Sequence, residues 1–125
     1  MLPPPASSPV PVPRRGEIWL VSLDPSRGSE IAKTRPCVVL SSNTLRALPL
    51  RTVVPMTEWK PKHARFWSCV AIDSDGRNGL RKPSAADGTQ VRCVALERFS
   101  KRIGVLAPEL LRDIADAVAL TIEAV

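Results

Sequence analysis

The chain offers few of the side chains on which common catalytic mechanisms depend. It has a single histidine, His63, and no tyrosine, which excludes a pair of histidines within one chain and a tyrosine base. Its three cysteines, Cys37, Cys69 and Cys93, are 32 and 24 residues apart, a spacing that matches no recognised zinc or iron–sulfur motif. Each cysteine lies beside a valine in an apolar run, so we expect three reduced thiols packed as small hydrophobic side chains.

Common motifs for nucleotides and metal ions are also missing from the sequence. It contains neither a GxGxxG run nor a lysine-bearing phosphate loop. The nearest pair of acidic residues, Asp73 and Asp75, encloses Ser74 and precedes Gly76, which is typical of a turn rather than of a magnesium site. We therefore expect no metal ion and no other cofactor.

Basic residues are concentrated in the larger part of the chain. The 125 residues carry 18 Lys and Arg against 12 Asp and Glu, for a net charge of +6. Residues 14–107 hold seventeen basic and eight acidic side chains, whereas residues 108–125 hold one and four. A basic body favours a polyanion because binding releases condensed counterions, although the same composition also occurs on ordinary solvated surfaces. Nucleic acid is the leading candidate partner.

Two tryptophans lie in a basic segment that suits such a partner. Trp59 and Trp67 flank a stretch that carries His63 and three cations, Lys60, Lys62 and Arg65. Aromatic rings stack on the bases of single-stranded nucleic acids, and we expect this of Trp59. Packing or burial between subunits explains Trp67 better, and a phosphate contact or no role at all explains His63 better than catalysis does.

Chain length and pattern predict one small, mainly β domain over residues 14–125. Residues 1–13 contain six prolines and no charge, so we expect a mobile or extended arm. Because this arm lacks the basic start and long apolar centre of a signal peptide, the expected compartment is the cytoplasm. Short β-branched runs predict five strands, at residues 17–23, 36–41, 50–56, 66–72 and 90–96, with loops at 24–34, 57–65 and 73–88.

The pattern changes at Pro108, where apolar residues begin to recur three or four apart. This spacing predicts an amphipathic helix. Strands followed by a terminal helix, without βαβ alternation, predict a small antiparallel sheet or barrel closed by that helix. Gln90 and Arg92 alternate on the last predicted strand, so both side chains either line a groove or face solvent.

Several short motifs, in this order, resemble one known family. Residues 15–25 (RGEIWLVSLDP), 27–30 (RGSE) and 34–40 (TRPCVVL) look like the opening of the MazF/PemK family of toxins. Residues 53–57 (VVPMT) resemble its next strand, residues 90–92 (QVR) its glutamine-isoleucine-arginine strand, and residues 104–110 (GVLAPEL) the entry to its last helix. The resemblance spans residues 14–123 and is loose between residues 58 and 88.

This resemblance implies an SH3-like β-barrel with a C-terminal helix and a homodimer. It also implies a metal-independent endoribonuclease that cuts single-stranded RNA at a short sequence and is restrained by an acidic, MazE-like antitoxin. The family's catalytic arginine falls on Arg35 and its catalytic threonine on Thr57. Its loop acid falls on Glu30, in a loop that covers the site and supplies RNA contacts from Arg27, Gly28, Ser29 and Lys33. Further expected RNA contacts come from Trp59, Lys60, His63, Gln90 and Arg92.

RNA cleavage agrees with the residues that the chain has. RNA carries its own nucleophile in the 2′-hydroxyl, so the enzyme must align that oxygen and stabilise charge on the phosphoryl group. A guanidinium at Arg35 and a hydroxyl at Thr57 fit those roles. The general base stays open, because an arginine seldom gives up its proton; Glu30 or late loss to solvent are the alternatives.

Two other classes of function remain possible on the sequence alone. One is a toxin of the same fold that poisons a protein target such as gyrase by binding. The other is a noncatalytic nucleic-acid-binding module. The combination of Arg35 with Thr57 favours the enzyme over both.

Overall fold

A computed structural model describes residues 12–124 and shows how these segments fold. The described chain forms seven strands and one helix: β1 (Glu17–Ser22), β2 (Thr34–Val39), β3 (Leu50–Glu58), β4 (Cys69–Ile72), β5 (Ser84–Asp87), β6 (Arg92–Ala95), β7 (Phe99–Val105) and α1 (Pro108–Thr121). Single turns of 3-10 helix occur at Asn43–Leu45, Pro61–Arg65, Gly88–Gln90 and Leu96–Arg98.

All strand pairs are antiparallel and belong to one sheet. The strand order is β4-β5-β3-β2-β1-β7, and β6 pairs with the first part of β3. Within residues 12–124 no pairing joins β4 to β7. The mainly β architecture with a C-terminal helix is therefore confirmed, but the sheet is open and the expected barrel describes it only loosely.

Alternation along the strands gives the sheet an apolar cluster on each face. On one face Ile18, Val38 and Val54 pack in a cluster with Ile114 of α1, which buries the helix against the sheet. The other face carries a second cluster, which contains Trp19, Val21, Cys37, Val39, Val53 and Val94. The second face matters for function because the candidate site residues share it.

Five strands and the helix lie where the sequence predicts them, with ends shifted by up to three residues. Two strands were missed. β5 (SAAD) consists of residues with low strand propensity, and it forms because β3 and β4 pair with it on either side. β7 carries Lys101 and Arg102 at its centre, as edge strands often do.

The first described residues are held against the sheet by a hydrogen bond between Arg51 and Pro13. Arg51 is only 4% exposed, and its guanidinium donates hydrogen bonds to the carbonyl oxygens of Pro13, Arg46, Leu48 and Leu50. The proposed arm at residues 1–13 lies outside the described residues except for Val12 and Pro13, so the division into arm and domain stays a prediction. Within the described range, no helix combines the length and apolar character needed to cross a membrane.

Candidate active site

Strand register brings Arg35 and Thr57 to neighbouring positions on one face of the sheet. Arg35 is the second residue of β2 and lies opposite Val21 of the second apolar cluster. Cys37 pairs with Pro55, and Arg35 and Thr57 each lie two residues from that pair on their own strands, so their side chains point to the same face. Both positions were expected at strand ends or in loops, but they lie inside β2 and β3, which fixes their backbones.

The pairing of β2 with β3 ends at Cys37 and Pro55, and β3 pairs with β5 from Met56 to Glu58. An open cavity of about 740 Å³ lies here, and both Arg35 and Thr57 border it. Its other lining residues come from β1, β2, β3, β5, β7 and the segment before β5: Leu20, Pro36, Met56, Glu58, Gly79, Leu80, Arg81, Lys82, Ser84, Lys101, Arg102 and Ile103. The two residues on which the sequence interpretation depends therefore meet at one cavity.

This cavity is strongly basic. Five of its lining residues are Lys or Arg and one, Glu58, is acidic. Lys82 contacts Glu58 at 3.7 Å, and Arg102 forms an ion pair with Glu17 at 3.1 Å. These walls are suited to a polyanion, as the net charge of the chain predicts.

Sequence reasoning missed four of the cavity's cations, Arg81, Lys82, Lys101 and Arg102. The first two lie in a segment expected to be a loop, whose role the sequence left open, and the other two lie in the missed strand β7. Their clustering in the sequence as two basic pairs is the only signal that could have marked them.

The wall at residues 79–82 is locked in place by close backbone packing. Gly79 has a φ of 70°, and a Cβ there would overlap the carbonyl oxygen of Ile103 in β7. Just before it, the buried Asn78 side chain accepts hydrogen bonds from the backbone N–H groups of Asp75 and Leu80. The predicted turn at Asp73–Gly76 is thus a rigid support for the cavity rather than a loose loop.

Asp75 contributes to that support. Its carboxylate accepts hydrogen bonds from the backbone N–H groups of Arg77 at 2.7 Å and Asn78 at 2.8 Å. These bonds favour the charged form and lower the pKa of Asp75 below its usual value of 3.8.

A second set of predicted site residues meets beside the cavity rather than in its walls. Glu30 forms an ion pair with Arg92 at 3.0 Å, and Gln90 bonds the backbone of Ser29 and Ile31. Arg27, Gly28 and Ser29 are exposed at the tip of the same loop. Lys33 has a φ of 70° and closes the loop. Its carbonyl oxygen accepts from the Leu23 backbone N–H, and its own backbone N–H donates to the Asp24 carboxylate. The RNA contacts expected of these residues stay predictions.

The segment between β3 and β4, residues 59–68, contains one turn of 3-10 helix with Trp59 before it and Trp67 after it. Trp59 is half-buried and its ring lies 5.5 Å from that of His63. The Lys60 backbone N–H donates to Nδ1 of His63 at 2.9 Å, so the proton of the neutral ring lies on Nε2. Trp67 is 63% exposed; packing within the chain therefore does not explain it, and burial between subunits stays a prediction.

Only one cysteine matches the expectation of a buried thiol. Cys37 is buried, and burial raises its pKa to about 12, with the nearby Arg92 guanidinium opposing the shift. Cys69 is half-buried, and its pKa is raised by burial and then by the Asp87 carboxylate. Cys93 is exposed, so the prediction was wrong there: it alternates outward on β6 while Val94 faces the core.

Comparison with known proteins fits this fold and site. The family of PemK-like, MazF-like toxins of type II toxin–antitoxin systems matches residues 14–122. A relative named Endoribonuclease MazF9, from Mycobacterium tuberculosis (strain ATCC 25618 / H37Rv), is 35% identical over 116 residues, which cover 88% of this chain and 96% of that protein. The chain therefore belongs to the PemK-like, MazF-like toxin family.

Solved structures show the same fold at lower sequence identity. MazF from Deinococcus radiodurans superposes with a TM-score of 0.77 at 16% identity, over 91% of this chain and 99% of that one. An endoribonuclease from a mycobacterial species, solved in complex with its cognate antitoxin, superposes with a TM-score of 0.69 at 16% identity, over 89% and 95%.

Proposed function

We propose that this toxin is an endoribonuclease that cleaves single-stranded RNA at the cavity between β2, β3 and β7. The relative that is 35% identical carries the name of an endoribonuclease. The observation that carries the proposal is the position of Arg35 and Thr57, which come from separate strands and border one basic cavity. Cytoplasmic mRNA is the proposed substrate.

In this proposal the protein supplies alignment and charge, and the RNA supplies the nucleophile. The 2′-oxygen attacks the adjacent phosphorus in line with the leaving 5′-oxygen. Negative charge grows on the phosphoryl oxygens, and the Arg35 guanidinium and the Thr57 hydroxyl stabilise it. The P–O5′ bond breaks and the departing 5′-oxygen takes a proton from solvent, which leaves a 2′,3′-cyclic phosphate and a 5′-hydroxyl.

The proton of the 2′-hydroxyl goes to solvent in this scheme. An arginine side chain seldom gives up its proton, and the Nε of Arg35 is already bonded to the Ala32 carbonyl oxygen at 3.2 Å. Glu30 does not border the cavity, and its carboxylate is bound to Arg92. We therefore assign Arg35 an electrostatic role and leave the base to water.

An acidic antitoxin is the proposed partner, acting on a homodimer of this chain. The mycobacterial structure described above contains a cognate antitoxin. A basic cavity suits an acidic segment that folds as it binds. Titration with an acidic antitoxin peptide should suppress cleavage and should weaken with added salt; inhibition that is indifferent to salt would count against a charge-driven contact.

Cleavage of a labelled RNA in the presence of EDTA tests the enzymatic proposal. Wild-type protein should cut, and Arg35→Ala should lose activity by about 100-fold or more while its circular dichroism spectrum is unchanged. The products should carry a cyclic phosphate at one end and a 5′-hydroxyl at the other. Primer extension on a long RNA would also reveal the recognised sequence.

The same experiment separates the rival functions. A wild-type protein that inhibits growth but leaves every RNA intact would point to a poison of a protein target such as gyrase. Protein that binds RNA without cutting it, and without inhibiting growth, would point to a noncatalytic binding module.

A further inference from the structure

The ion pair between Glu30 and Arg92 joins the β1–β2 loop, residues 23–33, to the second face of the sheet. Glu30 Oε2 lies 3.0 Å from Arg92 Nη2, and Arg92 Nη1 donates to the carbonyl oxygen of Ile31 at 3.4 Å. The Glu30 side chain is 49% exposed and that of Arg92 is 22% exposed. The guanidinium is thus accessible at the surface but is covered by the loop's own carboxylate.

Gln90 reinforces this attachment from a neighbouring position. Its Oε1 accepts from the Ile31 backbone N–H at 3.3 Å, and its Nε2 donates to the Ser29 carbonyl oxygen at 3.4 Å. The other Glu30 oxygen accepts from the Arg27 backbone N–H at 2.7 Å. All of these bonds are polar and partly solvated, so residues 27–30 can be released at modest cost while Ile31 stays packed against the second apolar cluster.

Arg92 shares its face of the sheet with the proposed catalytic pair. It lies opposite Val53 of β3, and four residues further along β3 is Thr57. Its guanidinium is close enough to oppose the burial-driven rise in the pKa of Cys37, which is two residues from Arg35 on the same strand face. An RNA strand bound at Arg35 and Thr57 would therefore continue toward Arg92.

The loop also contacts Arg35 itself. The Arg35 Nε donates to the Ala32 carbonyl oxygen, one residue after the Ile31 that Arg92 and Gln90 hold. A loop fixed on Arg92 thus keeps one donor of the Arg35 guanidinium occupied, and a released loop frees it for a phosphate.

We propose that Glu30 is an internal competitor of RNA for Arg92. In the closed loop its carboxylate takes the position on the guanidinium that an RNA phosphate takes when the loop opens. Carboxylate and phosphate oxygens both accept charge-assisted hydrogen bonds from a guanidinium, so a phosphate oxygen can replace the single Glu30 contact at Arg92 Nη2. The inference rests on the proposed function because it takes RNA as the ligand, and it makes Glu30 a regulator of the site instead of its base.

Binding of an RNA that lacks the nucleophile tests this competition. A fluorescent single-stranded 2′-O-methyl oligonucleotide cannot be cut by 2′-oxygen attack, so its Kd reports binding alone. Glu30→Gln should lower that Kd about two- to fivefold, because a larger fraction of the protein then has Arg92 available. Glu109→Gln, the same change on α1, is the matched control and should alter the Kd less.

A double-mutant cycle separates competition from a simple change of net charge. Arg92→Gln should raise the Kd. In the Arg92→Gln background, Glu30→Gln should not lower the Kd, because there is no guanidinium left to expose. If Glu30→Gln lowers the Kd equally in the wild type and in Arg92→Gln, the proposal is overturned. A Glu30→Gln variant that binds no more tightly than Glu109→Gln would also overturn it.

Hydrogen exchange gives a readout that does not involve RNA. Glu30→Gln should speed exchange of the backbone N–H groups of residues 27–31, and Glu109→Gln should not; equal exchange in both variants would contradict the attachment. A 100-fold fall in kcat with unchanged Kd for Glu30→Gln would instead make Glu30 the base and sink the proposal. If the wild type cleaves no RNA, the proposed function fails while the cycle and the exchange data still test the competition.

Discussion

At the scale of single residues, a guanidinium and an alcohol can stabilise a phosphoryl group without changing their own protonation states. Arg35 and Thr57 are such a pair, and neither depends on the chain's only histidine. What they require is a fixed position relative to each other, which β2 and β3 provide. Their contributions can be measured one atom at a time.

Removal of the Thr57 hydroxyl should slow cleavage with little effect on folding. Thr57→Val keeps the branched shape of the side chain but removes one donor to the charged phosphoryl group, so we expect kcat to fall about 100-fold. Thr52→Val is the matched control, because Thr52 is half-buried on the same strand but does not border the cavity. Similar kcat values for the two variants would show that Thr57 only ends its strand.

The buried Cys37 thiol should make the protein less stable at high pH. Its pKa is about 12 in the folded chain against 9.0 for an ordinary thiol, so between these values the folded chain keeps a proton that the unfolded chain releases. The free energy of unfolding should therefore be unaffected by this group below pH 9 and fall above it, by up to about 1.4 kcal/mol per pH unit.

Urea unfolding between pH 7 and 11 measures that slope. Cys37→Ala should remove this part of the pH dependence, whereas Cys93→Ala, at an exposed position, should keep it. Parallel curves for wild type and Cys37→Ala would contradict the assignment.

At the scale of elements, the shape of the cavity depends on the close packing of residues 77–82, the segment before β5, against β7. Gly79 and Gly104 allow backbone to approach backbone there, since a Cβ on Gly104 would overlap backbone atoms of Arg77 and Asn78. The Val105 backbone N–H also donates to the Arg77 carbonyl oxygen at 2.9 Å. The positions of Arg81 and Lys82 follow from this packing.

Gly79→Ala should therefore destabilise the fold and disturb the basic wall. The added methyl meets the Ile103 carbonyl and requires a φ of 70° that alanine disfavours, so we expect a loss of about 2–4 kcal/mol in the free energy of unfolding and weaker RNA binding. Gly76→Ala, in the same segment but with open space around it, should change stability by less than about 1 kcal/mol. Chemical denaturation of both variants checks this, and equal losses would show that the packing is not specific to Gly79.

At the scale of the whole molecule, charge is distributed unevenly between the cavity and the C-terminal helix. The cavity walls are basic, whereas α1 and the residues after it carry one basic and four acidic side chains. Attraction of a polyanion to the cavity should therefore depend strongly on salt.

Binding of single-stranded RNA should weaken with salt in proportion to the phosphates contacted. If three or four cavity cations bind phosphates, the slope of log K against log salt should be about −2 to −3. Arg81→Gln or Lys82→Gln should make that slope shallower by about 0.7 each, whereas Arg112→Gln on α1 should leave it unchanged. Equal slopes for all three variants would place the RNA elsewhere.

Strong local patterns in the sequence determined much of this protein. The β-branched runs that became β1, β2, β3, β4 and β6, the amphipathic helix from Pro108, the basic body and the motifs around Arg35 and Thr57 were all readable. They were readable because side-chain alternation, helical periodicity and charge act over a few residues. Sequence reasoning failed for β5, whose residues do not favour strands by themselves, and for β7, whose strand formers Phe99, Ile103 and Val105 are separated by Ser, Lys, Arg and Gly.

Only the tertiary structure decided which groups share a site. β5 and β7 exist because neighbouring strands supply their hydrogen bonds, and through β7 the structure brings Lys101 and Arg102 to the wall opposite Arg81 and Lys82. It also pairs Glu30 with Arg92, 62 residues away. Hydrogen bonding and charge pairing across such separations depend on the register of the whole sheet, and no short stretch of the sequence contains that information.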